Sequence, residues 1–137
     1  MKKLLLLLTI CTALCYGQFP YEVPCRLTPN PGPSIGNTMT IHTNKDCAEG
    51  SVFWNYPEGN LRVVFERRSS SDAFEVCLTK DGGSYNLNRI IDVRTGNLIP
   101  KPIGSDECVR SKDGRVVLEF QSDRLLYYLA IIIYKIQ

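Results

Sequence analysis

The sequence has one histidine, one tryptophan, two methionines and no Cys-x-x-Cys pair. The sequence therefore gives a zinc site little support, for want of a Cys-x-x-Cys pair and of more than one histidine. It also contains no G-x-S-x-G, no H-E-x-x-H and no Gly-rich phosphate loop. A Ser–His–Asp arrangement would have to use His42, which stands between Ile41 and Thr43, and nothing local marks a serine partner for it. No Asn-x-Ser/Thr sequon occurs, so N-glycosylation is not expected. Excess charge is small, at +2, and unclustered. Nucleic-acid binding usually shows as a clearly basic domain, so no nucleic-acid partner is expected. No apolar run beyond the first residues reaches the roughly 20 residues of a membrane-spanning helix. Disorder is excluded in turn, because 44% of the residues are hydrophobic.

What is present begins with an export signal. Lys2 and Lys3 form a positive start, residues 4–14 are mostly apolar, and Cys15-Tyr16-Gly17 supplies the small residues of a cleavage site. The expectation is a secreted protein with residues 1–17 as signal peptide and 18–137 as a single domain. Removing 17 of 137 residues leaves 120, with 14 Lys/Arg against 14 Asp/Glu, so the exported domain is formally neutral. Two cysteines leave with the signal and four remain: Cys25, Cys47, Cys77 and Cys108. An even count in an exported chain reads as disulfides. Four cysteines allow three connectivities, and the expectation is sequential pairing, Cys25–Cys47 and Cys77–Cys108. Each bridge would close a loop worth about 3 kcal/mol in the chain-entropy model. No cofactor and no metal is expected.

Apolar residues beyond the signal recur with period two, and no helical period of useful length appears. Residues 18–37 hold five of the eight prolines and read as an extended arm tied down at Cys25. Alternation over 38–43, 51–56, 61–67, 73–79, 85–93 and 115–121 reads as strands, and the uncharged run 125–134 as a central strand covered on both faces. Tyr56-Pro57-Glu58-Gly59-Asn60 reads as the turn of a hairpin, and Asp113-Gly114 carries a second hairpin signature. Leu61, Val63 and Phe65 share one face; Trp54 is placed in the core with Val52 and Tyr56, and Phe53 and Asn55 opposite. Seven or eight strands with turns near every ten residues predict an all-β sandwich.

Function has weaker markers. Pro57, Glu58, Gly59 and Asn60 are the expected exposed contact loop, with Arg67 and Arg68 as an added polar patch, because binding residues gather on loops. The adjacent carboxylates Asp106 and Glu107 supply the only acid pair a hydrolase reading has to work with, and solvated surface explains them better. Trp54, were it exposed, would be a sugar platform.

The run Cys47-Ala48-Glu49-Gly50-Ser51-Val52-Phe53-Trp54-Asn55-Tyr56-Pro57-Glu58-Gly59-Asn60-Leu61-Arg62 resembles the N-terminal region of the meteorin family. Cys25, Cys77-Leu78 and Cys108-Val109-Arg110 continue the likeness more loosely, so that it covers most of residues 18–137. The resemblance implies a secreted signalling factor whose N-terminal domain is a CUB-like, antiparallel β-sandwich with two sequential disulfides. Family members continue into a cysteine-rich netrin-like domain; this sequence stops at Gln137, and activity residing in that half is not carried over. CUB domains often bind calcium through an acidic cluster, and no such cluster can be placed here. The function expected is non-enzymatic, through contacts with an extracellular or cell-surface protein. The alternative is an extracellular carbohydrate- or matrix-binding module.

Overall fold

The computed structural model describes residues 25–68, 73–122 and 129–137. The expected signal, Pro20 and Pro24 of the arm, residues 69–72 of the polar loop and residues 123–128 lie outside them. Ten strands follow one another: β1 Arg26–Leu27, β2 Thr38–His42, β3 Glu49–Asn55, β4 Gly59–Glu66, β5 Glu75–Leu78, β6 Arg89–Asp92, β7 Leu98–Ile99, β8 Glu107–Arg110, β9 Arg115–Ser122 and β10 Leu129–Ile136. They form two five-stranded sheets, a front sheet in the order β1-β3-β10-β5-β8 and a back sheet in the order β2-β4-β9-β6-β7. Pairing is antiparallel throughout except at one edge of each sheet, where β1 runs parallel to β3 and β2 parallel to β4. The fold is thus the all-β sandwich expected, with both disulfides in the sequential pairing, Cys25–Cys47 and Cys77–Cys108. No helix among the described residues is long and apolar enough to cross a membrane.

The period-two readings hold because one face of each sheet is buried. Leu61, Val63 and Phe65 of β4 point inward opposite Phe120, Leu118 and Val116 of β9. Val52 and Trp54 of β3 and Val76 and Leu78 of β5 do the same in the front sheet, with Ala130, Ile132 and Tyr134 of β10 between them. These side chains make one core. Phe65 and Tyr134 meet across the sheets edge to face, with centroids 5.0 Å apart, a geometry aromatic pairs favour.

The pairing of strands departs from expectation. The chain changes sheet at every connection except β6 to β7. The segment after β3 is therefore a crossover to β4 in the other sheet, and the expected hairpin does not form. Tyr56 leaves the expected core face: its φ is 50° and it is exposed at the crossover. Gly59 follows with φ 73°, and a Cβ there would run into the Ser34 carbonyl oxygen and lie 2.9 Å from that of Asn37, so only glycine fits. The Asp113-Gly114 turn does form, with both φ values positive and Lys112 and Arg115 hydrogen-bonded at 3.0 and 3.2 Å. Its flanks then part, since Ser111 N–H goes to Phe74 O in the front sheet. Of the strand expected over 85–93 only β6 is regular. Tyr85 instead turns its buried hydroxyl onto backbone: it accepts Ile133 N–H at 3.1 Å and has the Ile133 and Thr79 carbonyls at 3.0 and 3.1 Å. Burial pushes this phenol up to about 12.

Candidate functional surface

The expected contact residues do not form one patch. Pro57 and Gly59 are buried, and Glu58 and Asn60 are half-buried, because the crossover packs against the Ser34 and Asn37 backbone and the end of β9, where the Ser122 hydroxyl donates to Pro57 O at 3.0 Å. Asn60 N–H is bonded to Asn37 O at 2.9 Å. Arg67 and Arg68 are exposed as expected, but they follow the far end of β4. Strand rise puts them about 25 Å from residues 57–60. Trp54 is fully buried and offers no sugar platform. His42 ends β2 on the surface, with Nδ1 4.0 Å from Glu66. Asp106 accepts Lys80 N–H at 2.9 Å, a loop-fixing role. Glu75, Cys77 and Cys108 come within 4.8 Å of one another. Both sulfurs are in the disulfide, so they have no thiolate for a metal.

Two surfaces stand out instead. The first is the outward face of the front sheet. Phe53 of β3 and Ile131 and Ile133 of β10 alternate with the core residues and are only half-buried. With Cys25, Ser51 and Gly82 they line an open groove of about 630 Å³. Arg26 lies over the Phe53 ring, 4.0 Å from its centroid, and Glu49 faces Lys135 across the strands. The groove is therefore apolar at its floor and charged at its rim. The final strand was expected to be covered on both faces, and this outward face corrects that reading. Gly50 fixes the groove's edge, since a Cβ there would fall 2.5 Å from the Tyr134 hydroxyl and against the Cys25 carbonyl oxygen. That carbonyl accepts Ser51 N–H at 3.0 Å, which docks β1 and with it Arg26.

The second is the outward face of the back sheet. Its centre is a polar ladder: Arg62 donates twice to Glu119 Oε2, at 3.2 and 2.8 Å, Gln121 donates to Glu119 Oε1 at 2.6 Å, and Arg89 donates to Gln121 at 2.5 Å. Glu119 is buried between these partners. Burial alone would raise its carboxyl, but the hydrogen bonds of Gln121 and Arg62 and the charges of Arg62 and Arg89 outweigh it and hold it below the ordinary range. A depressed carboxylate adds stability that is present at neutral pH and lost as pH falls through the folded value. Arg62→Met should therefore destabilise the domain by about 1–2 kcal/mol at pH 7, the partly exposed pair being worth less than a fully buried one. The deficit should shrink below about pH 4, where Glu119 protonates in the unfolded chain and then the folded one. Urea melts of both proteins at pH 7 and pH 3.5 test this; a deficit of equal size at both would sink the assignment.

Beyond the ladder, at the end of the sheet where β4 stops and β9 starts, cations gather around Glu66. Lys45 Nζ is 3.5 Å and Arg115 Nε 3.9 Å from its carboxylate. Arg68 is held by Asp46 at 2.6 and 2.7 Å. No protein-family model matches the chain, and no curated protein matches it.

Proposed function

We propose that the protein is secreted and acts without catalysis, as a meteorin-like signalling or binding factor that makes extracellular protein–protein contacts. The observation that carries the reading is the groove on the front sheet. Phe53, Ile131 and Ile133 give it an apolar floor, and Arg26, Glu49 and Lys135 give it a charged rim. An apolar centre inside a polar rim is the anatomy of a protein interface. The occupant that fits is a protein segment with one or two apolar side chains for the floor and an acidic group for Arg26. The two disulfides support export, because such bridges persist in oxidising compartments. The carbohydrate alternative loses its aromatic platform with the burial of Trp54.

The test is binding of labelled residues 18–137 to intact cells, read by flow cytometry, with Ile131→Glu and Ile133→Glu as the variants. Both side chains are partly exposed, so the melting temperature should hold. Apparent affinity should fall roughly tenfold or more if these residues are interface anchors. Saturable binding left unchanged by both substitutions, or no saturable binding at all, would overturn the proposal.

A further inference from the structure

We infer that the end of the back sheet around Glu66 binds a sulfated polysaccharide. Four chain segments converge there. Lys45 comes from the β2–β3 connection, Arg67 and Arg68 from the exit of β4, Lys112 from the Asp-Gly turn, and Arg115 from the first position of β9. Lys45 and Arg115 share the one Glu66 carboxylate, which is largely covered while both cations are more than half exposed. At Glu66 the positive charge therefore faces outward and the negative charge lies beneath it. Asp46 offsets only Arg68, and Asp113 is engaged by Arg94 at 2.7 Å.

Residues 18–137 are formally neutral, with 14 charges of each sign, so this excess is local and not the mark of a basic protein. The patch also lacks what a protein interface needs at its centre. Val64 and Val117, the apolar residues beside it, are buried, and among the described residues no exposed aromatic or aliphatic anchor stands among the cations. A linear polyanion needs no such anchor, because its affinity comes from pairing charges and releasing counterions. Outside the cell, where the proposed function places this chain and where disulfides persist, sulfated polysaccharide is the polyanion whose chemistry fits. The inference is independent of the front-sheet groove, and it places the carbohydrate-binding alternative on charge instead of on an aromatic ring.

The test uses residues 18–137 on immobilised heparin at physiological salt, with a sulfopropyl resin as the plain ion-exchange control. The wild-type domain should be retained on heparin and elute at clearly higher salt than from sulfopropyl resin. The triple variant Lys45→Ala, Arg67→Ala, Arg115→Ala should lose retention, its log-affinity against log-salt slope falling by roughly two to three, at somewhat under one for each cation removed. Glu66→Gln should tighten retention, since the covered carboxylate opposes the ligand. Ile131→Glu and Ile133→Glu should leave heparin binding intact, so that failure of the groove reading and failure of this one are told apart. No retention at physiological salt, equal elution from both resins, preference for an acidic protein over heparin, or a triple variant that behaves as wild type would each overturn the inference.

Discussion

Trp54→Ala will cost about 3–5 kcal/mol of stability, the largest loss expected from truncating a single side chain. Trp54 is fully buried and is the largest side chain in the core. Its neighbours cannot move in to fill the space it leaves. Ala130 stands directly opposite on β10, and on the arm side a Cβ built on Gly32 would lie 3.0 Å from the indole nitrogen. Both are already the smallest residues available, so the cavity persists and its cost adds to the lost transfer energy. Domains of this size are stable by about 5–15 kcal/mol, so the variant should keep its fold only under mild conditions. Its melting temperature should drop by roughly 10–20 °C. Because the substitution removes the sole tryptophan, denaturation has to be followed by far-ultraviolet circular dichroism. A loss below about 1 kcal/mol would contradict the core position, cavity formation being the mechanism claimed.

That burial was legible in the sequence, and the reason is physical. Period two tells which residues share a face, and a sandwich buries one face of each sheet. Hence Trp54 and the Leu61-Val63-Phe65 face were both placed correctly. Period two says nothing about which strand lies alongside which. The β3–β4 and β8–β9 pairs looked like hairpins because their turn chemistry is local, whereas the sheet each strand joins is decided by distant partners such as β10 and β9. Pro57 and Gly59 carry turn signals for the same local reason, yet both are buried in the crossover they make. The front-sheet groove stayed hidden inside an uncharged run. Hydropathy reports that Ile131 and Ile133 are apolar and not whether anything covers them; only Lys135, at the next outward position, hinted at an open face. The cation cluster depends on non-local pairing too. Arg67 and Arg68 were visible, but Lys45 and Arg115 reach the same carboxylate only once β2, β4 and β9 are side by side.

Removing either disulfide as a serine pair will cost about 3 kcal/mol, and the two substitutions will have different consequences for the groove. The bridged cysteines are 22 and 31 residues apart, and loop-closure entropy grows only with the logarithm of that length, so the predicted costs are nearly equal at about 3–3.5 kcal/mol. Position separates them. Cys77–Cys108 joins directly opposed residues of β5 and β8 at the far edge of the front sheet, away from Phe53. Cys25–Cys47 secures the start of β1, a strand of two residues at the edge of the sheet, whose hold on β3 includes the Ser51 N–H to Cys25 carbonyl bond. So short an edge strand has little else to hold it once the bridge is gone. Arg26 then leaves the Phe53 ring, and the groove loses one side of its rim. Urea melts should therefore show similar deficits for Cys25→Ser/Cys47→Ser and Cys77→Ser/Cys108→Ser. Amide exchange at Ser51 should accelerate beyond the global change in the first pair alone, and cell binding should weaken in the first pair alone. Equal Ser51 protection in both variants would show that β1 holds without its bridge, and that the groove's charged rim does not depend on the disulfide beside it.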